Sequence, residues 1–167
     1  MNELKKHSIR AGELLSASRA TIATAESCTG GMIAAALTGI AGSSAYTRGG
    51  IVAYDNSVKQ SALGVQEATL IAHGAVSEQT AGEMARGASR VLSADYALSA
   101  TGIAGPGGGT DEKPVGLTYI GLAGPDGLLI VRRFVWQGDR DFNREASVIA
   151  ALDLLIETLT TSDGSSA

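Results

Sequence analysis

With 167 residues the chain is long enough for one domain with a buried core, and 13 basic against 17 acidic residues give a net charge of −4. Scattered Lys and Arg, with only 4% aromatic residues, exclude nucleic-acid binding by a basic groove with stacking platforms. A single cysteine excludes an internal disulfide and a cysteine-built zinc site, and the two histidines, His7 and His73, lack metalloprotease spacing.

The first ten residues are polar and charged, unlike a secretory signal. The longest apolar stretch is broken at Thr38 and Gly39, too short to span a bilayer. A cytoplasmic protein with no nucleic-acid or membrane partner is expected. In chain order, Leu4, Ile9, Leu14 and Leu15 predict an amphipathic helix over 3–17. The β-branched run Thr21-Ile22-Ala23-Thr24 predicts a buried strand over 21–25, and the Ala-rich run Met32-Ile33-Ala34-Ala35-Ala36-Leu37 a packed helix over 29–37. Residues 39–44 read as a loop and 46–54 as a second strand, kinked or bulged at Gly49-Gly50.

Asp55-Asn56-Ser57 is an N-cap cluster before a short helix over 58–63, closed by Gly64. A second short helix over 66–73 ends on His73 before Gly74, and Ser77 opens a longer helix to residue 92. A third strand over 96–100 leads into a glycine-rich loop over 102–114. Strands over 115–123 and 128–135 then pair across the turn Gly124-Pro125-Asp126-Gly127. A closing helix over 139–159 presents Val148, Leu152, Leu155, Ile156 and Leu159 on one face, followed by a disordered polar tail over 161–167. The alternation predicts one α/β domain over 1–160: a three-layer α/β/α fold with a mixed sheet, parallel strands followed by a C-terminal antiparallel hairpin. The first helix and the small-residue helix carry more apolar surface than one sheet face needs, which predicts a homodimer or higher homo-oligomer.

In such a sheet ligands bind at the carboxyl ends of the parallel strands, where three chemically loaded segments begin. The first is Ala25-Glu26-Ser27-Cys28-Thr29-Gly30-Gly31, a strand-to-helix junction with free N–H groups and a positive helix end. A Ser27 hydroxyl there can be a nucleophile, with the N–H groups of Thr29, Gly30 and Gly31 ready for an oxyanion. Ordinary capping is the commoner reason for a Ser or Thr at this place. Cys28, the other candidate nucleophile, reads as a small buried hydrophobe. In the second segment a desolvated Lys59 near the Tyr54 hydroxyl can accept a serine proton, although most lysines are simply solvated. The third, Thr101-Gly102-Ile103-Ala104-Gly105-Pro106-Gly107-Gly108-Gly109-Thr110, can cradle a phosphate on successive glycine N–H groups. It is no Walker loop, because Gly108 stands where the Lys would be, and no dinucleotide fingerprint, because a strand follows it.

Together these segments resemble the CinA C-terminal family of nicotinamide-nucleotide amidases. The resemblance rests on Ala25 to Gly31, on Gly49-Gly50-Ile51-Val52-Ala53-Tyr54 with Asn56 and Lys59, and on His73-Gly74-Ala75-Val76-Ser77. The Thr101 to Gly109 loop, Lys113-Pro114-Val115-Gly116 and Gly138-Asp139-Arg140 complete it in family order. It implies hydrolysis of the carboxamide of nicotinamide mononucleotide, with no metal and no cofactor. By position Ser27 matches the nucleophile, and Tyr54 and Lys59 its proton-handling partners. Thr29, Gly30, Gly31, Asn56, Thr101, Gly102, Gly105, Gly107 and Gly108 match substrate contacts, with Arg140 near the phosphate. Asp55 departs from the small residue expected after Tyr54 and sets a charge beside Lys59. Longer family members carry an additional N-terminal domain that is not part of this sequence. The competing class is a non-catalytic nucleotide-binding or competence/damage-associated module, which needs the glycine loop but not the Ser27–Lys59 pair.

Overall fold

The computed structural model describes residues 1–164. Strands β1 (Ile22–Glu26), β2 (Thr47–Val52), β3 (Tyr96–Gly102), β4 (Leu117–Ala123) and β5 (Leu129–Val135) form one sheet in the order β2-β1-β3-β4-β5. β1 runs parallel to both β2 and β3, while β3–β4 and β4–β5 are antiparallel. This is the predicted mixed sheet. Its register slips between Ile22 and Ala23, so that Arg48 is the extra residue beside Gly49. Gly50 follows because a Cβ there would come within 2.4 Å of the Thr24 Oγ1.

Helices cover both faces. On one lie α1 (Glu3–Ser18), α2 (Met32–Thr38) and α6 (Arg140–Gly164), packed on Ile22, Leu98, Ile120 and Leu122. On the other lie α3 (Asn56–Leu63), α4 (Glu67–His73) and α5 (Glu78–Val91), over Ala23, Ala25 and Ala97. Small sheet residues on this second face let the helices sit close. At the tightest point a Cβ on Gly87 of α5 would fall 2.0 Å from the Leu63 carbonyl at the end of α3.

Two expectations need correction. α2 starts at Met32 rather than at residue 29, because Gly30 (φ 59°) and Gly31 (φ 97°) take left-handed conformations that keep the preceding turn out of the helix. α6 runs to Gly164, so residues 161–164 of the predicted disordered tail are helical, each Thr hydroxyl of that last stretch bonding back to the carbonyl four residues earlier; residues 165–167 lie outside the described residues. Leu14, Leu15, Ile33 and Leu37 are buried in the core that α1 and α2 share with α6.

The order β2-β1-β3 sends the connection from β1 one way and that from β3 the other, opening a crevice at their carboxyl ends. Ser27 follows β1 there, and its N–H bonds the Ala100 carbonyl of β3 at 2.9 Å. Because Gly87 sets how closely α3 approaches, Gly87→Ala is expected to cost about 1–3 kcal/mol of stability through overpacking against backbone. Urea unfolding checks this; an unchanged midpoint would mean that α3 moves away freely.

Candidate active site

The polypeptide leaves β1 at Glu26 and reaches α2 only at Met32, so Ser27, Cys28 and Thr29 occupy an elbow between strand and helix. Ser27 is nearly buried, at 9% exposure. Lys59 reaches it from α3, and its Nζ lies 3.2 Å from Ser27 Oγ. Far from being solvated, Lys59 is 1% exposed. Its other contacts are the carbonyls of Ala53 at 3.0 Å and Tyr54 at 3.1 Å. No carboxylate forms an ion pair with it among the described residues. Burial pulls its pKa below the ordinary lysine value, opposed by the charge of Asp55. A neutral amine has two N–H groups and one lone pair. Two carbonyls and one hydroxyl match that set, so the lone pair is left for the Ser27 proton.

The elbow's N–H groups can be accounted for one by one. The Glu26 carboxylate turns back beneath α2, where Oε2 accepts from Thr29 Oγ1 at 2.6 Å and from the N–H groups of Gly31 and Ile33 at 3.1 and 3.0 Å. Its Oε1 accepts from the Ala34 N–H at 2.8 Å. Gly31 as N-cap supplies no side chain, so Glu26 is the acceptor for the start of the helix. The Gly30 N–H donates to the Ser27 carbonyl at 3.0 Å. Gly30 and Gly31 are thus not available as oxyanion donors. Among the described residues the N–H groups of Cys28 and Thr29 are the ones in this elbow left without an oxygen acceptor.

Tyr54 is 60% exposed, and it is its backbone carbonyl that touches Lys59. Its phenol oxygen accepts from Arg140 Nη2 at 3.2 Å, while Arg140 Nη1 donates to the Gly105 carbonyl at 2.8 Å. Arg140 thereby bridges the second and third loops. Asn143, one turn further along α6, donates to the Ala104 carbonyl at 3.0 Å. Arg144 reaches the first loop, where Nε donates to the Cys28 carbonyl at 3.1 Å and Nη2 to the Thr29 carbonyl at 3.3 Å. Asn143 and Arg144 escaped the sequence reading, as did Glu26 in any separate role. The signal was present, since Arg140, Asn143 and Arg144 are spaced i, i+3, i+4 on one helix face.

In the glycine loop the N–H groups of Gly105, Gly107, Gly108 and Gly109 make no hydrogen bond among the described residues. Gly107 and Gly108 are exposed, and Gly105 (φ 91°) and Gly108 (φ 89°) take the left-handed bends of an anion nest. Other predicted contacts have structural duties. Gly102 ends β3, where a Cβ would come within 2.6 Å of Thr118 Oγ1. Thr101 is buried, and its hydroxyl donates to the Ala75 carbonyl at 2.8 Å. Asn56 is exposed on the first turn of α3, and no side-chain bond is formed by it among the described residues. Asp55 caps α3 by accepting from the Ser57 N–H at 2.8 Å.

Cys28 is buried, and desolvation pushes its thiol up to about 11, so it is held as a neutral thiol. His73 ends α4 before Gly74, as predicted, while His7 pairs with Asp153 at 2.9 Å. A cavity of about 620 Å³ between β5 and α6, lined by Phe134, Trp136 and Phe142, includes none of the elbow residues and no nucleophile–base pair.

With this geometry, comparison with known proteins is informative. A family model described as the CinA C-terminal domain matches residues 4–159. The nicotinamide-nucleotide amidohydrolase PncC of Escherichia coli strain K12 is 49% identical over 154 residues, which cover 92% of this chain and 93% of that protein. A CinA-like protein of Chloroherpeton thalassium is 53% identical over 154 residues, 90% of this chain but 37% of that protein. The chain thus spans about a third of the length of several relatives that it matches. The crystal structure of the competence/damage inducible protein CihA from Agrobacterium tumefaciens superimposes with a TM-score of 0.92 at 42% identity, covering 96% of this chain and 97% of that one.

The buried amine makes a prediction about stability. The unfolded chain keeps the Lys59 proton to about 10.5, whereas the folded chain releases it at lower pH. Between the two values the unfolded state binds more protons, so stability rises with pH in that window. Urea midpoints across an alkaline pH series should show this rise in the parent and not in Lys59→Met. Parallel curves for the two proteins would mean that Lys59 titrates normally.

Proposed function

The chain belongs to the CinA C-terminal domain family, and from that premise we propose that it is an amidohydrolase converting nicotinamide mononucleotide to nicotinic acid mononucleotide and ammonia. The observation that carries this reading is the 3.2 Å approach of a buried, carboxylate-free Lys59 amine to Ser27 Oγ. In the proposed reaction Ser27 Oγ attacks the carboxamide carbon as its proton passes to the Lys59 lone pair. The N–H groups of Cys28 and Thr29 stabilise the tetrahedral oxyanion. The intermediate collapses with loss of ammonia, the proton returning from Lys59, and an ester remains on Ser27. Water, deprotonated by Lys59, then hydrolyses that ester. Written this way the reaction uses no metal and no cofactor, and a cytoplasmic location fits its nucleotide substrate.

The Tyr54 phenol contributes through its Arg140 contact, and the base assignment rests on Lys59 alone. The free N–H groups of Gly105, Gly107 and Gly108, with Arg140 beside Gly105, support the loop as the phosphate site. Arg140 uses two of its five donors in bridging, so the rest can face a phosphate.

Ammonia release from nicotinamide mononucleotide tests the reading. Ser27→Ala and Lys59→Ala should each lose on the order of 10⁴–10⁶ in kcat, as groups acting as one unit do, with substrate affinity retained. Cys28→Ala should cost less than about tenfold, because its thiol is neutral and packed. A dead Cys28→Ala beside an active Ser27→Ala overturns the nucleophile. Tight nucleotide binding by the parent with no turnover favours the binding-module reading.

Substrate truncation tests the loop separately. A charge-assisted phosphate contact contributes about 1.5–3 kcal/mol, so nicotinamide riboside should fall at least about tenfold below the mononucleotide in kcat/KM. Equal values for the two substrates would remove the phosphate from the glycine loop.

A further inference from the structure

Arg144 touches neither Ser27 nor Lys59, yet its guanidinium spans two carbonyls of the elbow. A trans peptide is planar, so fixing its carbonyl also fixes the direction of the N–H on its other side. The Thr29 N–H belongs to the peptide whose carbonyl is that of Cys28, and Arg144 Nε clamps that carbonyl at 3.1 Å. The Cys28 N–H belongs to the peptide whose carbonyl is that of Ser27, clamped by the Gly30 N–H at 3.0 Å. The two N–H groups of the elbow that no oxygen accepts from, and that lie against the Cys28 sulfur, are therefore the far ends of two clamped peptides.

We propose that Arg144 is a positioning residue of the reaction: by holding the Cys28 and Thr29 carbonyls it aims the Thr29 N–H at the oxyanion formed on the substrate of Ser27. The inference rests on the amidohydrolase reading and adds a residue to it. Glu26 anchors the elbow from inside by holding Thr29 Oγ1 and the first N–H groups of α2. Arg144 anchors it from outside, from a separate helix. Nothing within the elbow replaces that contact, because the Cys28 carbonyl has no other donor among the described residues. Gly30 is also suited to it, since a Cβ there would stand 3.1 Å from Arg144 Nη2. An arginine is required for geometry as well as charge. Its planar fork presents Nε and Nη2 at a fixed separation to the two carbonyls, whereas an ammonium brings all its donors to one freely rotating nitrogen.

The test compares Arg144→Met and Arg144→Lys with the parent, on both the mononucleotide and the riboside. Loss of one aligned oxyanion donor costs on the order of 10²-fold in kcat, and that fall is expected in both variants, with KM changed by less than about threefold. The same loss is expected with the riboside, and the midpoint of the rising limb of the pH profile, which deprotonation of Lys59 would set, should not move. Parent-like kcat in either folded variant overturns the proposal. So does a loss that appears in KM and only with the phosphate-bearing substrate, since Arg144 would then be a phosphate ligand. If Arg144→Met does not fold, Arg144→Lys, which keeps stem and charge, decides alone. Should the parent release no ammonia, the amidohydrolase reading fails by itself, and an alkyl fluorophosphonate becomes the probe. Ser27 Oγ then forms a bond to phosphorus, fluoride leaves and the proton goes to Lys59. Labelling at least about tenfold slower in the Arg144 variants supports the clamp, and equal labelling rates overturn it.

Discussion

The rest of the site depends on one constraint, a lysine amine taken out of water without a carboxylate to pair it. Burying a charged ammonium is costly, and the usual relief is an ion pair or loss of the proton. Here the contacts are two carbonyls and a serine hydroxyl. Asp55, which could have formed a pair, instead caps α3 with its carboxylate on Ser57, and acts on Lys59 only through its field. Burial pulls the pKa of this amine below the ordinary lysine value, which makes its neutral form, the one with a free lone pair, more accessible than at a solvated lysine.

Keeping that amine in place requires three chain segments to meet at the carboxyl ends of β1, β2 and β3. The sheet aligns their starting points, as the Ser27 N–H bonding the Ala100 carbonyl shows. Alignment of strand ends does not hold loops, however, and the holding is done largely by α6. Arg140, Asn143 and Arg144, all on its first two turns, bond to the second, third and first loops in different combinations. The same helix carries Val148, Leu152 and Leu155 in the main core. Its N-terminal end is therefore continuous with a segment fixed in the core, and the loops it bonds are tied to that segment.

Glycine serves different ends along this route. At Gly30 and Gly31 it permits the left-handed elbow, and at Gly87 it permits two helices to touch. In the loop over 105–109 it leaves N–H groups free and side chains absent. Only the last use offers a surface to a ligand, although all read alike in the sequence.

While the pairing of Ser27 with Lys59 came from the family resemblance, residue types and their spacing were enough to determine the element order, the mixed sheet with its terminal hairpin and the three loops. Those features are local or periodic: β-branched runs, Ala-rich runs, Asp and Ser caps, and a Gly-Pro-Asp-Gly turn carry their own conformational preferences. What tertiary structure alone decided was where each polar group points. Whether Lys59 is solvated or buried depends on α3 closing over Ala53, which no local pattern encodes. Gly31 drops out as an oxyanion donor because the Glu26 side chain folds onto the start of α2, and Gly30 because it bonds the Ser27 carbonyl, while Thr29 stays and Cys28 joins it. The service of Arg144 to Cys28 spans 116 residues. A hydrogen bond is satisfied by whichever group arrives, and arrival over such separations is fixed by packing, not by sequence neighbours.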